Sequence, residues 1–369
     1  MIRVGINARA LAKPDPAGVS RYTHNLLGAL AAQPGDDAVE YLLFGVESLP
    51  AALSNHDCVR NAGEPAPTHS GLQAHRWEQF ALPRVLGKHD LDVFHTPAGQ
   101  PPVPSGLSEV PLVTTVHDVS PVAYPEWFSR GYATLYRVLT PLAVRASARI
   151  IAVSGFTRDE IVAAYPSAAG KTIAVHNGVG PPADPGTPVE GLRAHEFLLF
   201  VGAANQRKNL RTLLAAYRRY RARTVDPVPL ALAGPERDVF AAFEYDLPAG
   251  VQALGYVPDA QLGWLYRNAA AFVFPSLYEG FGLPIVEAMH AGTPVVTSDR
   301  GAMAEVAGDA AHLVNPLDAG CLAAGIERVL SNGTYRKRLT ERGVERAAAF
   351  TWDRAAARTV DVYRAVAEP

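Results

Sequence analysis

The chain has 369 residues, of which 48% are apolar, so it can build two domains of ordinary size, each around its own core. Its formal net charge at pH 7 is only −2, which argues against a basic surface for nucleic acid. The two cysteines, Cys58 and Cys321, are far apart, match no metal-ligand spacing and are too few for a disulfide framework. These features indicate a protein of a reducing compartment without a nucleic-acid partner.

The start of the chain predicts a strand, a loop and a helix. The strand is Ile2 to Ile6, the loop is Asn7 to Ala17, and the helix runs from Gly18 to about Ala32. Gly18 is a candidate for close approach of a ligand to the backbone, although a turn glycine is the commoner explanation. No apolar run reaches the roughly 18 residues of a membrane span, so we expect a cytoplasmic protein.

A histidine is predicted at the end of a later strand. Val39 to Phe44 is typical of a strand at the edge of a sheet, and Pro111 to Val116 predicts a strand that ends at His117 and Asp118. The carboxyl ends of strands are where open α/β sheets bind ligands. A lone histidine there is more often structural than catalytic, so the residues alone leave the role of His117 open.

Trp127 to Arg149 predicts a long amphipathic helix in which aromatic and leucine residues are interleaved with arginines. One interpretation is a helix that packs on the core and keeps a basic face in water. The other is a helix on a membrane surface, where aromatic and basic side chains occur together. The sequence therefore leaves a peripheral membrane contact open.

Residues 180–190 contain four prolines together with glycine and aspartate, a composition that neither a helix nor a central strand tolerates. We interpret this run as a linker between a domain at 1–182 and a domain at 192–350. The alternation of strands and helices starts again at Glu196 to Gly202, which predicts a second parallel sheet. The fold class is therefore α/β with two domains.

Two cations follow the first strand of the second domain, where the chain enters a helix that continues to about Arg221. Arg207 and Lys208 could neutralise a diphosphate at this strand end. The alternative is that they belong to the solvated basic face of the helix. Further on, Asp259 is expected to cap a helix that ends at Asn268.

The most informative run is Pro275 to Met289. It follows a predicted buried strand, Ala270 to Phe274, and its glycines allow a sharp turn into a helix whose first position suits Pro284. Glu279 in the loop and Glu287 in the helix can then face the same side, and free backbone N–H groups near Leu283 and Ile285 offer an anion site. Each glutamate alone could equally be a solvated loop residue or a first-turn acid.

In combination, two glutamates with seven residues between them, the Gly-Phe-Gly-Leu-Pro core and the preceding apolar strand resemble the signature of retaining glycosyltransferases of family 4. The resemblance extends over nearly the whole chain. It implies the GT-B architecture, in which two Rossmann-like domains with parallel sheets face a central cleft. It also implies that the final helix, 352–369, crosses back onto the first domain.

The resemblance assigns roles to individual residues of this chain. It implies that Arg207 and Lys208 contact the donor phosphates, although Ala203 stands where many relatives carry the arginine. The catalytic positions implied are His117, Glu279, Arg207 and Lys208, and the donor-binding positions are Gly18, Val257, Gly280, Phe281, Gly282, Leu283 and Glu287. Glu279 and His117 would contact the sugar, Glu287 the ribose, and the backbone near Val257 the base, with no metal and no cofactor.

The activity implied is transfer of a hexose, with mannose from GDP-mannose as the expected donor, to a glycan or lipid-linked acceptor at the inner face of a membrane. Neither Glu279 nor His117 is placed by the resemblance as a base behind the sugar, so retention of configuration is expected. One alternative is a nucleotide-sugar 2-epimerase of the same architecture. Another is a two-lobed sugar-binding protein without chemistry.

Overall fold

The computed structural model describes residues 1–12, 18–33, 39–67, 72–103, 109–182, 186–234 and 246–368. Residues 13–17 of the predicted first loop and residues 183–185 of the predicted linker lie outside this part of the chain. The chain divides into two compact units, one made of residues 1–178 with 351–369 and the other of residues 179–350. Each unit contains one parallel sheet flanked by helices in the order strand, helix, strand.

The strands of the first unit are short, apolar runs that form one parallel sheet. In chain order they are β1 (Ile2–Asn7), β2 (Val39–Phe44), β3 (Val59–Asn61), β4 (Val93–Thr96), β5 (Leu112–Val116), β6 (Ser147–Ala152) and β7 (Thr172–Ala174). Their spatial order is β3-β2-β1-β4-β5-β6-β7. The order reverses between β1 and β4, which is the switch point where such sheets bind ligands beyond the strand ends.

The helices of the first unit connect these strands. They are α1 (Val19–Ala31), α2 (Leu72–Arg76), α3 (Leu82–Leu86), α4 (Ser120–Ala123), α5 (Arg130–Ala146), α6 (Gly155–Ala164) and α13 (Trp352–Ala367), with a π-helical turn at Trp77–Ala81 between α2 and α3. The terminal helix α13 packs on α1. A Cβ at Gly178 would clash with the backbone nitrogen of Trp352, so only glycine allows the chain to pass the start of α13 so closely.

The second unit repeats the arrangement with a parallel sheet of order β10-β9-β8-β11-β12-β13. Its strands are β8 (Leu198–Val201), β9 (Leu230–Ala233), β10 (Val251–Gly255), β11 (Ala271–Phe274), β12 (Val295–Ser298) and β13 (His312–Val314). Its helices are α7 (Leu210–Arg223), α8 (Asp259–Asn268), α9 (Leu283–His290), α10 (Gly301–Ala307), α11 (Ala319–Ser331) and α12 (Gly333–Ala347). All four residues of β11 are fully buried, so β11 forms the centre of this core.

Three predictions of local structure were wrong. Val39–Phe44 is not an edge strand, because it pairs with β1 on one side and β3 on the other and all its residues are buried. The predicted helix from Trp127 to Arg149 is shorter at both ends: Pro125–Trp127 forms a 3₁₀ turn, α5 ends at Ala146, and Arg149 lies in β6. Asp259 is the first residue of α8, and the N-cap position belongs to Pro258.

Ser154 caps α6, because its hydroxyl accepts a hydrogen bond from the Thr157 N–H at 2.9 Å. No helix in the described part of the chain has the length and apolarity that crossing a membrane requires.

Candidate active site

The second unit gathers its charged candidates at its own topological switch point. The strand order reverses between β8 and β11, and Arg207 and Lys208 follow β8 whereas Glu279 follows β11. The two loops are joined by a backbone hydrogen bond, in which the N–H of Leu277 donates to the carbonyl of Arg207 at 2.8 Å. The predicted residues Arg207, Lys208 and Glu279 therefore lie beyond the carboxyl ends of these strands, where such sheets bind ligands.

Asn209 fixes the loop that carries the two cations. Its backbone is left-handed, with φ of 58°, a conformation that asparagine tolerates better than most residues. Its side-chain amide donates to the carbonyls of Pro275, at 3.0 Å, and Pro316, at 2.7 Å. No role was predicted for Asn209, although an asparagine between a strand and a helix is a recognisable signal for a left-handed turn.

Lys208 and Glu279 form a nearly buried ion pair. Lys208 Nζ lies 2.7 Å from Glu279 Oε1, with the two side chains 11% and 9% exposed. Arg207 approaches the other carboxylate oxygen at 3.7 Å. Lys208 Nζ also lies 4.6 Å from the centre of the Phe274 ring, and its alkyl chain runs past Gly202. The ammonium group is thus held by a carboxylate and an aromatic face at the end of β11.

Burial and charge act in opposite directions on this pair. Burial lowers the pKa of Lys208, against the opposing effect of the Glu279 carboxylate. Burial alone would raise the pKa of Glu279, but the charges of Lys208 and Arg207 outweigh it and the pKa of Glu279 falls below its usual range. The carboxylate therefore stays ionised and is a weak proton acceptor.

The glycine loop ends at Gly282, the N-cap residue of α9, with φ of 102° in the region that favours glycine. Pro284 occupies the second position of α9, not the predicted first. The N–H of Ile285 donates to the carbonyl of Gly282 at 3.0 Å, so the prediction that it is free for an anion was wrong. Gly280 is buried beside Glu279, and Leu283, the first residue of α9, is partly exposed.

Phe281 is predicted to bind donor, and its side chain lies in the core. The ring is only 4% exposed and meets Phe350 edge-on at 5.5 Å. A ligand in the crevice could therefore reach the backbone of Phe281 more readily than its ring. Val257 is partly exposed in the loop after β10, on the same edge of the sheet as the other candidates.

Glu287 lies in α9, one helix turn beyond Leu283, and is partly exposed. Its Oε2 accepts a hydrogen bond from the hydroxyl of Tyr266 at 2.7 Å. Its charge also acts on Lys208, so the second carboxylate lies near the first ion pair. Tyr266 was absent from the predicted site, because a tyrosine in the apolar pattern of a helix is predicted to be a core residue.

His117 and Gly18 belong to the first unit. His117 Nε2 donates to the carbonyl of Pro97 at 2.8 Å, which leaves Nδ1 as the acceptor nitrogen of the neutral ring. Burial lowers the pKa of His117, so the neutral form prevails at pH 7. Tyr22 meets the ring edge-on at 4.7 Å. Gly18 is the N-cap residue of α1 with φ of 53°.

A buried polar chain supports the strand that ends at His117, and sequence reasoning missed it. His95 in β4 is fully buried, with Nδ1 2.6 Å from the Tyr363 hydroxyl and Nε2 2.8 Å from the Thr115 hydroxyl. Tyr363 belongs to α13, so the last helix is tied to β4 and β5 through this histidine. Burial lowers the pKa of His95 to about 3.

A second missed cluster lies at the switch point of the first unit. Glu78, in the π-helical turn, is fully buried and accepts from Arg9 Nε and Nη2 at 3.1 and 3.0 Å. Asn7 at the end of β1 donates to the same carboxylate oxygen at 3.3 Å. Gly99, with φ of 89°, passes so close that a Cβ would lie 3.0 Å from Glu78 Oε1. The cluster fixes the loops after β1 and β4.

Both halves of the chain are similar to known glycosyltransferases. Residues 191–346 match the family model described as glycosyl transferases group 1, and residues 16–181 match glycosyltransferase family 4. The chain is 34% identical over 265 residues to the O-antigen chain mannosyltransferase B of Escherichia coli, covering 68% of this chain and 70% of that protein. It is 30% identical over 327 residues to the MMP α-(1→4)-mannosyltransferase of Mycolicibacterium hassiacum, covering 82% and 76%.

Among solved structures, the fold is similar to that of sucrose-phosphate synthase from Thermosynechococcus elongatus. The TM-score is 0.74 at 23% identity, and the match covers 99% of both chains. At this identity the match shows the architecture alone, which is GT-B. The family-model matches and the identity to curated glycosyltransferases add the family: this chain belongs to glycosyltransferase family 4, among its mannosyltransferase-like members.

Proposed function

We propose that this protein is a retaining glycosyltransferase that moves mannose from GDP-mannose to a glycan or glycolipid acceptor without a divalent metal. The observation that carries the proposal is the cluster of Arg207, Lys208 and Glu279 at the strand ends of the second unit. A diphosphate leaving group carries negative charge that grows as its bond to the sugar breaks. Two adjacent cations, fixed before the substrate arrives, are the kind of group that stabilises such charge.

The choice of mannose rests on the relatives, since both curated proteins reported above are named mannosyltransferases. The charges in the site suit the diphosphate of any nucleotide sugar. The second unit by itself therefore supports a nucleotide-sugar donor and does not distinguish one sugar from another.

Retention is supported by the state of Glu279. Its two oxygens face Lys208 and Arg207, and its pKa is lowered, so it is a poor base for the acceptor hydroxyl. In the proposed reaction the bond from the anomeric carbon to the phosphate oxygen breaks and the acceptor oxygen bonds to the same face of that carbon. The acceptor proton passes to the departing phosphate, and Arg207 and Lys208 balance the remaining charge.

A peripheral membrane contact is part of the proposal and rests on α5. The helix has no acidic residue over its seventeen positions and carries Arg130, Arg137 and Arg145, all exposed. None of the three forms an ion pair with another residue in the part of the chain that the structure describes. Their charge is therefore available for an anionic surface.

The same exposed side of α5 is partly apolar. Val138 and Leu142 are 56% and 43% exposed, and on the helical wheel they adjoin the arc that holds the arginines. Apolar and basic side chains side by side are typical of a helix that lies at the surface of an anionic bilayer. Such a contact fits a lipid-linked acceptor at the cytoplasmic face of a membrane.

The donor is tested by thermal unfolding of the purified protein with GDP-mannose, UDP-glucose and ADP-glucose, all in EDTA. A ligand at a hundred times its dissociation constant stabilises the folded state by about 2.7 kcal/mol, so the true donor should raise the melting temperature clearly. We expect this from GDP-mannose. Stabilisation by another sugar nucleotide alone would change the donor, and stabilisation by none would overturn the proposal.

A further inference from the structure

We infer that Tyr266 is a positioning residue that holds the Glu287 carboxylate ready for the ribose hydroxyls of the donor nucleotide. The inference rests on the proposed function, which places a nucleoside diphosphate in the second unit. It adds a residue that lies outside the motif and does not itself reach the crevice, since Tyr266 is only 1% exposed.

The Tyr266 side chain is fixed from several directions. Its ring meets Phe272 of β11 edge-on at 5.5 Å, and its backbone carbonyl accepts a hydrogen bond from the Thr293 hydroxyl. The phenol therefore projects from α8 toward α9 with little freedom. At its end, the hydroxyl lies 2.7 Å from Glu287 Oε2. An ionised carboxylate only accepts hydrogen bonds, so Tyr266 is the donor.

This bond removes freedom that a glutamate at the edge of a crevice would otherwise have. Glu287 is partly exposed, and a free glutamate side chain would sample several rotamers. A carboxylate that accepts hydrogen bonds from two neighbouring ribose hydroxyls must hold its plane in one orientation. With Oε2 held by the buried phenol, that orientation is set before the nucleotide binds, and less entropy is lost on binding.

Tyr266→Phe removes the hydroxyl and keeps the ring. The measurement is calorimetric affinity for GDP and for 2′,3′-dideoxy-GDP, which lacks both ribose hydroxyls. Wild-type protein should prefer GDP by roughly tenfold to a hundredfold. In Tyr266→Phe this preference should fall by about tenfold through weaker GDP binding, while dideoxy-GDP affinity stays the same. Tyr217→Phe is the matched control, because its fully buried hydroxyl donates to the carbonyls of Val228 and Gly250 in the same unit.

Equal weakening of both nucleotides in Tyr266→Phe, or an unchanged preference for GDP, would overturn the inference. If Tyr266→Phe fails to fold, the same two affinities are measured for Glu287→Asp. Its shorter carboxylate cannot reach the phenol and the ribose together, so it should lose the same preference, and retention of the preference would overturn the inference.

If wild-type protein bound none of GDP, UDP and ADP, the proposed function itself would fail. If it bound GDP and dideoxy-GDP equally, only the ribose contact and its positioning by Tyr266 would fail.

Discussion

At the residue scale, the charge of Lys208 is held in place by the chain itself. Glu279 balances it at 2.7 Å, and Arg207 lies close enough to share the same carboxylate. A buried ammonium without such a partner would lose its proton more readily. The ion pair therefore keeps a cation at the end of β11, where the leaving diphosphate is proposed to lie.

Replacing Lys208 with Ala should lower donor turnover by about two orders of magnitude or more, the scale seen on removing one preorganised electrostatic group. Release of GDP from GDP-mannose provides the measurement. Lys337→Ala is the control, because Lys337 is a 78% exposed lysine of the same unit and should be replaceable without effect. Full activity in Lys208→Ala would contradict the assigned role.

His95 predicts a pH dependence of stability. Burial, with a smaller effect of nearby His117, lowers the pKa of His95 from 6.5 to about 3 in the folded protein. Between these values the unfolded chain binds more protons than the folded protein, so stability falls as the pH drops through this window. Through His95, a change from pH 7 to pH 5 should lower the free energy of unfolding by about 2 kcal/mol.

Urea unfolding at pH 7 and pH 5 measures that cost. His95→Gln should be less stable at pH 7 but should lose about 2 kcal/mol less than wild type on acidification. His24→Gln, at an exposed position of α1, should keep the wild-type dependence. If wild type and His95→Gln lost the same free energy of unfolding between pH 7 and pH 5, His95 would not titrate as described.

Single residues could be predicted where each stands in a recognisable motif, and were missed where only a contact between distant elements marks them. Glu279 and Lys208 are each recognisable by motif position, and the structure places them in contact. Tyr266 was missed because its contact with Glu287 joins two helices whose packing no local pattern shows. Glu78 was missed because its partners Asn7 and Arg9 lie 69 or more residues earlier in the chain.

At the scale of elements, most errors concerned strand position and helix ends. Val39–Phe44 was predicted as an edge strand, and its outer neighbour β3 was not predicted. β3 has only three residues, Val59–Asn61, and two of them are polar. The helix predicted from Trp127 starts three residues later and ends at Ala146, where Ser147 enters β6. Amphipathic periodicity detects the face of a helix better than its ends.

The exposed side of α5 gives a prediction for the element as a whole. Reversing one charge near an anionic surface should cost about 2 kcal/mol, so Arg137→Glu should weaken binding to phosphatidylglycerol vesicles by at least about tenfold. Co-sedimentation with such vesicles is the measurement, with phosphatidylcholine vesicles as the neutral comparison.

Arg358→Glu provides the matched control, because it makes the same charge change at an exposed position of α13 in the same unit. We expect it to bind vesicles as the wild type does. Equal losses in both variants would indicate a general effect of net charge and would count against α5 as the contact.

At the scale of the whole molecule, alternating strands and helices predicted two α/β domains, and the resemblance added the GT-B architecture. Both parallel sheets have their switch points beside a first strand, β1 in one unit and β8 in the other. The sequence motifs follow these strands and their neighbours, which explains why candidates far apart in the chain lie on one sheet edge. The sugar and the acceptor are harder to predict, because they depend on contacts that these shared motifs do not encode.

In the proposed reaction, mannose leaves GDP-mannose with retention of configuration and without a metal. Proton NMR of GDP-mannose incubated with the enzyme in EDTA tests it directly, because water can serve as the acceptor and the anomeric signals distinguish the first product. We expect α-mannose to appear before mutarotation, and we expect Lys208→Ala to slow its appearance by about two orders of magnitude or more. β-Mannose as the first product, a requirement for a divalent metal, or conversion of the donor to its 2-epimer would contradict it.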